Sequence, residues 1–267
     1  MPLMDEFKKE REDVKNQPLK KRIDYFWTYY KWWVIGGIAF IIIAVSIITN
    51  IVKSKDETVY VAMIDTGINP TGNYEENITV PFLEEHGLSP KKNTINFNMN
   101  FIFSGQKGSE LPGSPSYSDT LGYSGRQNLA IYVSAGDVDA ISAPEDWFNN
   151  YAYSDFFLSL DDYLSADEIK ALEGRICYAD RAVMERFKKA HDEDNYEYSE
   201  EYPDSTDPAS MEDPVPVGIY IDDCPLFNEN FACADDNSSK VVIGIVRNSP
   251  AVEITKDLII YITGKAY

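Results

Sequence analysis

The chain has 267 residues and a formal net charge of −20 at neutral pH, with 44 acidic side chains against 24 basic ones. Negative charge on that scale opposes binding to nucleic acid and other polyanions and favours cations or basic partners. Two histidines and three cysteines leave little material for a Ser-His-Asp or Cys-His-Asn arrangement, so no catalytic residue is assigned and an enzyme is not expected.

Residues 1–31 form a tail that is basic around Lys20, Lys21 and Arg22 and aromatic from Tyr25 onward. Residues 32–52, WWVIGGIAFIIIAVSIITNIV, carry no charge. A helix of that length is about what ~30 Å of hydrocarbon requires. Lys and Arg gather on its N-terminal side, while only Lys53 and Lys55 follow closely. The pattern predicts a single-pass transmembrane helix in the cell membrane. Its N-terminus is expected to be cytoplasmic and the following domain extracytoplasmic.

Residues 58–267 read as one acidic α/β domain. Thr58–Ile64 is a β-rich apolar run that ends in a turn signal at Asp65-Thr66-Gly67. Residues 73–86 carry apolar positions suited to a helix, with Gly87 as its stop. Residues 93–103 alternate with period two and predict a second strand. Ser104–Gly125 is rich in Gly, Pro and Ser and reads as a long mobile loop. Its Gly122-Tyr123-Ser124-Gly125 falls one residue short of a nucleophile elbow. A helix over 127–134, a turn at Ala135-Gly136-Asp137 and a strand over 138–142 follow. The next helix starts near Glu145, with Pro144 at its first turn. Strand, crossover helix and strand in succession imply parallel pairing.

Ala135-Gly136-Asp137-Val138-Asp139 and the later Leu158-Ser159-Leu160-Asp161-Asp162-Tyr163-Leu164 carry a family likeness. With Val215–Tyr220 and Val241–Ile262, turned at Asn248-Ser249-Pro250, they resemble the bacterial extracellular solute-binding proteins of the type II periplasmic-binding fold. The resemblance implies a mixed, mostly parallel sheet with flanking helices. Proteins of that family clamp a solute between two lobes. Here the second lobe would have to come from 180–214 and 222–240. The first of these holds a helix over 182–190 and then the polar tract HDEDNYEYSEEYPDSTDPASMEDP, which reads as loop or disorder. The resemblance therefore implies a single lobe.

In open α/β sheets, ligands collect outside the carboxyl ends of the strands. That rule makes Asp65, Thr66, Gly67, Ser104, Gly105, Ser142, Pro144, Glu145 and Asp146 the candidate ligand-binding edge. All of these residue types also serve as ordinary turns and caps. Asp65 and Asp146 favour a cationic or hydroxyl-rich solute, carbohydrate included. No cofactor is expected. Asp192-Glu193-Asp194-Asn195 and Asp235-Asp236-Asn237 offer oxygen ligands but lack EF-hand spacing, so no metal site is assigned. Cys224 and Cys233 are candidates for a disulfide closing a short loop, and Cys177 reads as a small buried residue. The leading expectation is a membrane-anchored, extracytoplasmic solute-binding-like module acting as a receptor or accessory component. The alternative is an envelope interaction or scaffolding protein whose partner is another envelope protein.

Overall fold

The computed structural model describes residues 18–103, 117–195, 197–233 and 240–264. The chain divides into two units, Met1–Ser54 and Lys55–Tyr267.

The described part of the first unit is the helix α1 (Leu19–Lys53). Trp32, Trp33, Phe40 and Ile41–Ile43 are exposed along it. Among the described residues, no helix is long and apolar enough to cross a membrane. That finding overturns the single-pass anchor expected at 32–52. It also removes the localisation drawn from that anchor, a cytoplasmic N-terminus with an extracytoplasmic domain. The reason lies in the composition of the helix. Its first turns carry Lys20, Lys21, Arg22, Asp24 and Lys31.

The second unit opens with the strand β1 (Asp56–Ile64), a short β2 (Thr66–Ile68), a π-turn at Glu75–Thr79 and the helix α2 (Val80–Glu85). Then come β3 (Asn93–Phe101), α3 (Tyr117–Ala135), β4 (Ala140–Pro144) and α4 (Glu145–Ala152). The chain continues with α5 (Ala166–Ala171), β5 (Ile176–Asp180), α6 (Arg181–Asp192) and β6 (Pro214–Tyr220). It closes with α7 (Pro225–Asn230), β7 (Phe231–Cys233), β8 (Val241–Ile245) and α8 (Val252–Thr263).

Six strands form one sheet in the order β3-β1-β4-β8-β6-β5, and β2 pairs with β7 in a small second sheet. β1 is parallel to β3 and β4, whereas β4–β8, β8–β6 and β6–β5 are antiparallel. The sheet is mixed as expected but not mostly parallel, because β8, late in the chain, enters between β4 and β6 and opposes both. Along β1, Val59, Val61 and Met63 point into one core, and Tyr60, Ala62 and Ile64 into the other. This period-two alternation over a strand buried on both faces needs helices on each side. Phe82, Phe227 and Leu258 of α2, α7 and α8 fill the first core. Leu129, Phe148 and Val183 of α3, α4 and α6 fill the second.

α3 begins ten residues before the helix expected from sequence, so Gly122 and Gly125 lie inside it and not in a loop. A Cβ on either would fall within 2.6–2.7 Å of the Phe103 or Ile102 carbonyl oxygen, so both glycines let the helix lie against the exit of β3. Ser124 is therefore a helical residue and not a nucleophile elbow, which needs a strand-to-helix turn.

Candidate functional site at the carboxyl edge

β1, β3, β4 and β6 all run the same way, so their carboxyl ends share one edge of the sheet. α4 starts there directly after β4. Pro144 stands at its N-cap with φ −52° and ψ 144°, which turns the chain sharply out of the strand. The height of α4 above the sheet is set by Phe148. Its ring occupies space left by two glycines: a Cβ on Gly218 or Gly244 would come within 2.5 Å or 2.9 Å of its Cζ. Phe157 stacks on the same ring at 4.2 Å.

This seat brings Glu145 to the centre of a polar cluster. Its Oε1 accepts hydrogen bonds from Tyr220 Oη (2.5 Å), at the end of β6, and from Ser205 Oγ. The two hydroxyls also lie 2.9 Å apart. Lys240 Nζ is 3.9 Å from Glu145 Oε2 and 5.1 Å from the centre of the Tyr220 ring. Burial, then the neighbouring Cys177 and Glu145, push the Tyr220 phenol well above its ordinary range. Burial pushes the Cys177 thiol up to about 12, so it stays protonated at neutral pH and is no nucleophile.

The second wall is the acidic tract, and here the structure departs from a loose loop. Arg186 of α6 holds Glu200 at 2.8 Å and Glu212 at 3.1 Å. Hydrogen bonds from Arg186 and Tyr198 keep the Glu200 carboxyl down at about 2. Tyr202 stacks on Tyr153 with rings 4.1 Å apart. Ser205 is buried, and its carbonyl accepts from Tyr178 N at 2.8 Å. Asp180 accepts from the backbone of Ala182, Glu212 and Asp213. Burial pushes the Asp180 carboxyl up, but those three N–H bonds together outweigh it and lower its pKa. The tract buries few apolar atoms and is fixed mainly by charge-assisted hydrogen bonds and ring stacking.

Between α4 and this tract lies a cleft of about 510 Å³. Glu145, Asp146, Glu200, Glu201 and Asp204 line it, with Lys240 as its one cation among the described lining residues. Glu145, Glu200 and Asp204 are already engaged, the last by Thr206. Among the described residues, no hydrogen bond or ion pair engages Asp146 or Glu201, and both are exposed. No family model, no curated protein and no solved structure matches the chain. What the cleft does must be read from its chemistry.

The residues expected at this edge fall into three groups. Glu145 and Asp146 line the cleft, and Pro144 and Ser142 are buried beneath it. Asp65, Thr66 and Gly67 belong to a separate structural joint. Asp65 is 2% exposed with φ +49°, and its Oδ1 accepts from Phe103 N at 2.7 Å, pinning the end of β1 to the exit of β3. Thr66 bonds Ile64 O, and Gly67 pairs with Ala232 in the β2–β7 ladder. Ser104 and Gly105 lie outside the described residues. Ser205, Tyr220, Lys240 and Glu201 were missed. Tyr220 was within reach, since it ends a fourth strand to which the same edge rule applies, but nothing local marks Ser205.

Cys224 and Cys233 are not joined, which corrects the disulfide. The helix α7 and the first two residues of β7 lie between them. Cys224 faces the core with its Sγ 3.0 Å from Arg175 Nη1, whereas Cys233 Sγ donates to Asp65 O at 3.5 Å. Among the described residues, no group of three or more His, Cys, Asp or Glu side chains forms a metal site.

Proposed function

We propose that the α/β domain is a small-solute-binding module whose carboxyl-edge cleft takes a cationic ligand, an amine or a basic side chain. The observation that carries this reading is the convergence of Asp146 and Glu201, both unengaged by described partners, on a cleft at the edge where open α/β sheets bind ligands. The resemblance of residues 135–139 and 158–164 to solute-binding proteins supports the same reading. Two carboxylates facing one cleft attract an ammonium group.

Titration calorimetry on the full chain with spermidine, cadaverine and free lysine tests it. At least one amine should bind, more weakly as salt rises. Asp146→Ala and Glu201→Ala should each weaken that amine about tenfold, equivalent to ~1.4 kcal/mol. Binding unchanged in both variants, or no binding by any of the three, overturns the proposal. If a lysine-rich peptide binds where the small amines do not, the interaction-protein reading replaces it.

A further inference from the structure

A second cleft of about 500 Å³ lies at the opposite, amino-terminal edge of the sheet. It forms where β1 and β3 begin and where α3 ends, and it shares no lining residue with the first. Its chemistry differs as well. β3 is an edge strand, and its odd positions Ile95 and Phe97 face one core. The even positions Asn96 and Asn98 therefore set two amides on the other face, before a register shift turns Phe101 into the second core. Asn98 Nδ2 donates to Tyr60 Oη at 2.5 Å, and Asn96 Nδ2 donates to Glu57 Oε2 at 2.6 Å. The ring of Tyr60 stacks on Tyr132 at 5.7 Å and 26°. Tyr132 is 39% exposed and offers an aromatic face to the cleft.

Asp139 holds this arrangement in place from below. Its Oδ2 accepts from Tyr60 N at 2.9 Å and its Oδ1 from Ser249 Oγ at 2.6 Å. What remains for a ligand is a mixture: the Tyr132 ring face, the carbonyl oxygen and second amide hydrogen of Asn96, the Tyr60 hydroxyl proton and the carboxylates of Glu57 and Asp137. Burial first, then Asp139 and Asp137, raise the Glu57 pKa, so the cleft disfavours any added negative charge. An ammonium only donates, and it would leave the amide and phenol donors idle. Hydroxyl groups donate and accept, and the C–H face of a pyranose ring packs on an aromatic side chain.

From this juxtaposition of an exposed stacked tyrosine, a pair of asparagines and flanking carboxylates, we propose that the amino-edge cleft binds a neutral polyhydroxylated ligand, a short saccharide. This site is independent of the carboxyl-edge reading and survives its failure.

Saturation-transfer NMR on the full chain tests it with cellobiose, maltose and N,N′-diacetylchitobiose at millimolar concentration, with spermidine as competitor. At least one disaccharide should take up saturation through its ring C–H protons. The effect should fall fivefold or more in Tyr132→Ala and in Asn96→Ala. It should persist in Tyr132→Phe, which keeps the ring face and reports that the fold is intact. The proposal is overturned if no disaccharide takes up saturation, if Tyr132→Ala leaves the effect unchanged, or if spermidine displaces the sugar.

Discussion

The two clefts have nearly the same volume and sit at opposite edges of one sheet, yet they are built by different means. The amino-edge cleft is made mostly of residues on β1, β3, the end of α3 and the turn that follows it, all packed directly on the sheet. The carboxyl-edge cleft has one wall on α4 and another on a charged tract that joins no strand. The first is a by-product of the core. The second exists only while Arg186, Asp180 and Glu145 hold a polar segment against the domain. One should resist changes that dismantle the other.

The largest effect should come from replacing residues 193–213 with a Gly/Ser linker. That removes buried Ser205, the Tyr202–Tyr153 stack and three of the partners holding Arg186 and Asp180. A loss of about 2–4 kcal/mol is expected, from buried Ser205, the ring stack and the N–H donors lost to Asp180, while the exposed Arg186 pairs add little. For a domain of this size it corresponds to a fall in Tm of ~10 °C by calorimetry. Amine binding should vanish while the amino-edge cleft keeps its geometry. A Tm unchanged within ~2 °C would show that the tract contributes nothing to the fold.

Gly218→Ala should come next, at about 1–3 kcal/mol, because the new methyl must displace the Phe148 ring. Lifting α4 moves Glu145 away from Tyr220, so amine affinity should fall further than stability alone explains. Equal loss at both clefts would mean general loosening instead.

The mildest change is pH. The Glu200 carboxyl is depressed to about 2 from its ordinary 4.5, and Asp180 is also lowered. Their contribution is complete above the unfolded value and is lost as pH falls from about 4.5 towards 2. Glu57 is shifted the other way, so its protonation removes a penalty at the amino edge above 4.5, before the Glu200 contribution starts to fall. Near-UV circular dichroism should lose the signal of the Tyr153–Tyr202 stack on acidification before the far-UV signal changes. Simultaneous loss of both would contradict the separation.

Part of this architecture was legible in the sequence. β1 and β3 announce themselves by an apolar run and by alternation, β6, β8 and α8 were placed by the resemblance to solute-binding proteins, and the edge rule pointed to Glu145 and Asp146. The failures share a cause. The order of the tract depends on Asp180 and Arg186, which meet it only after folding, and composition is blind to such partners. Asp65 followed a strand just as Asp146 does, but a left-handed turn buried it, and no local signal distinguishes the two. Cys224 and Cys233 are close in sequence and kept apart by one short helix. At 32–52 the apolar run dominated the reading, whereas the helix containing it begins in charge.

The seat of Phe148 also bears on the order of assembly. The ring belongs to residue 148, but its two empty lanes lie on strands that arrive some 70 and 96 residues later. During synthesis α4 has nowhere to settle until β8 has emerged and paired between β4 and β6. Contacts of such sequence separation form late, because a large loop must close before they are rewarded. Glu145 thus reaches its position in the cleft only after β8 has been made. A truncated or stalled product would carry every carboxylate of the carboxyl-edge cleft and still have no cleft to bind with.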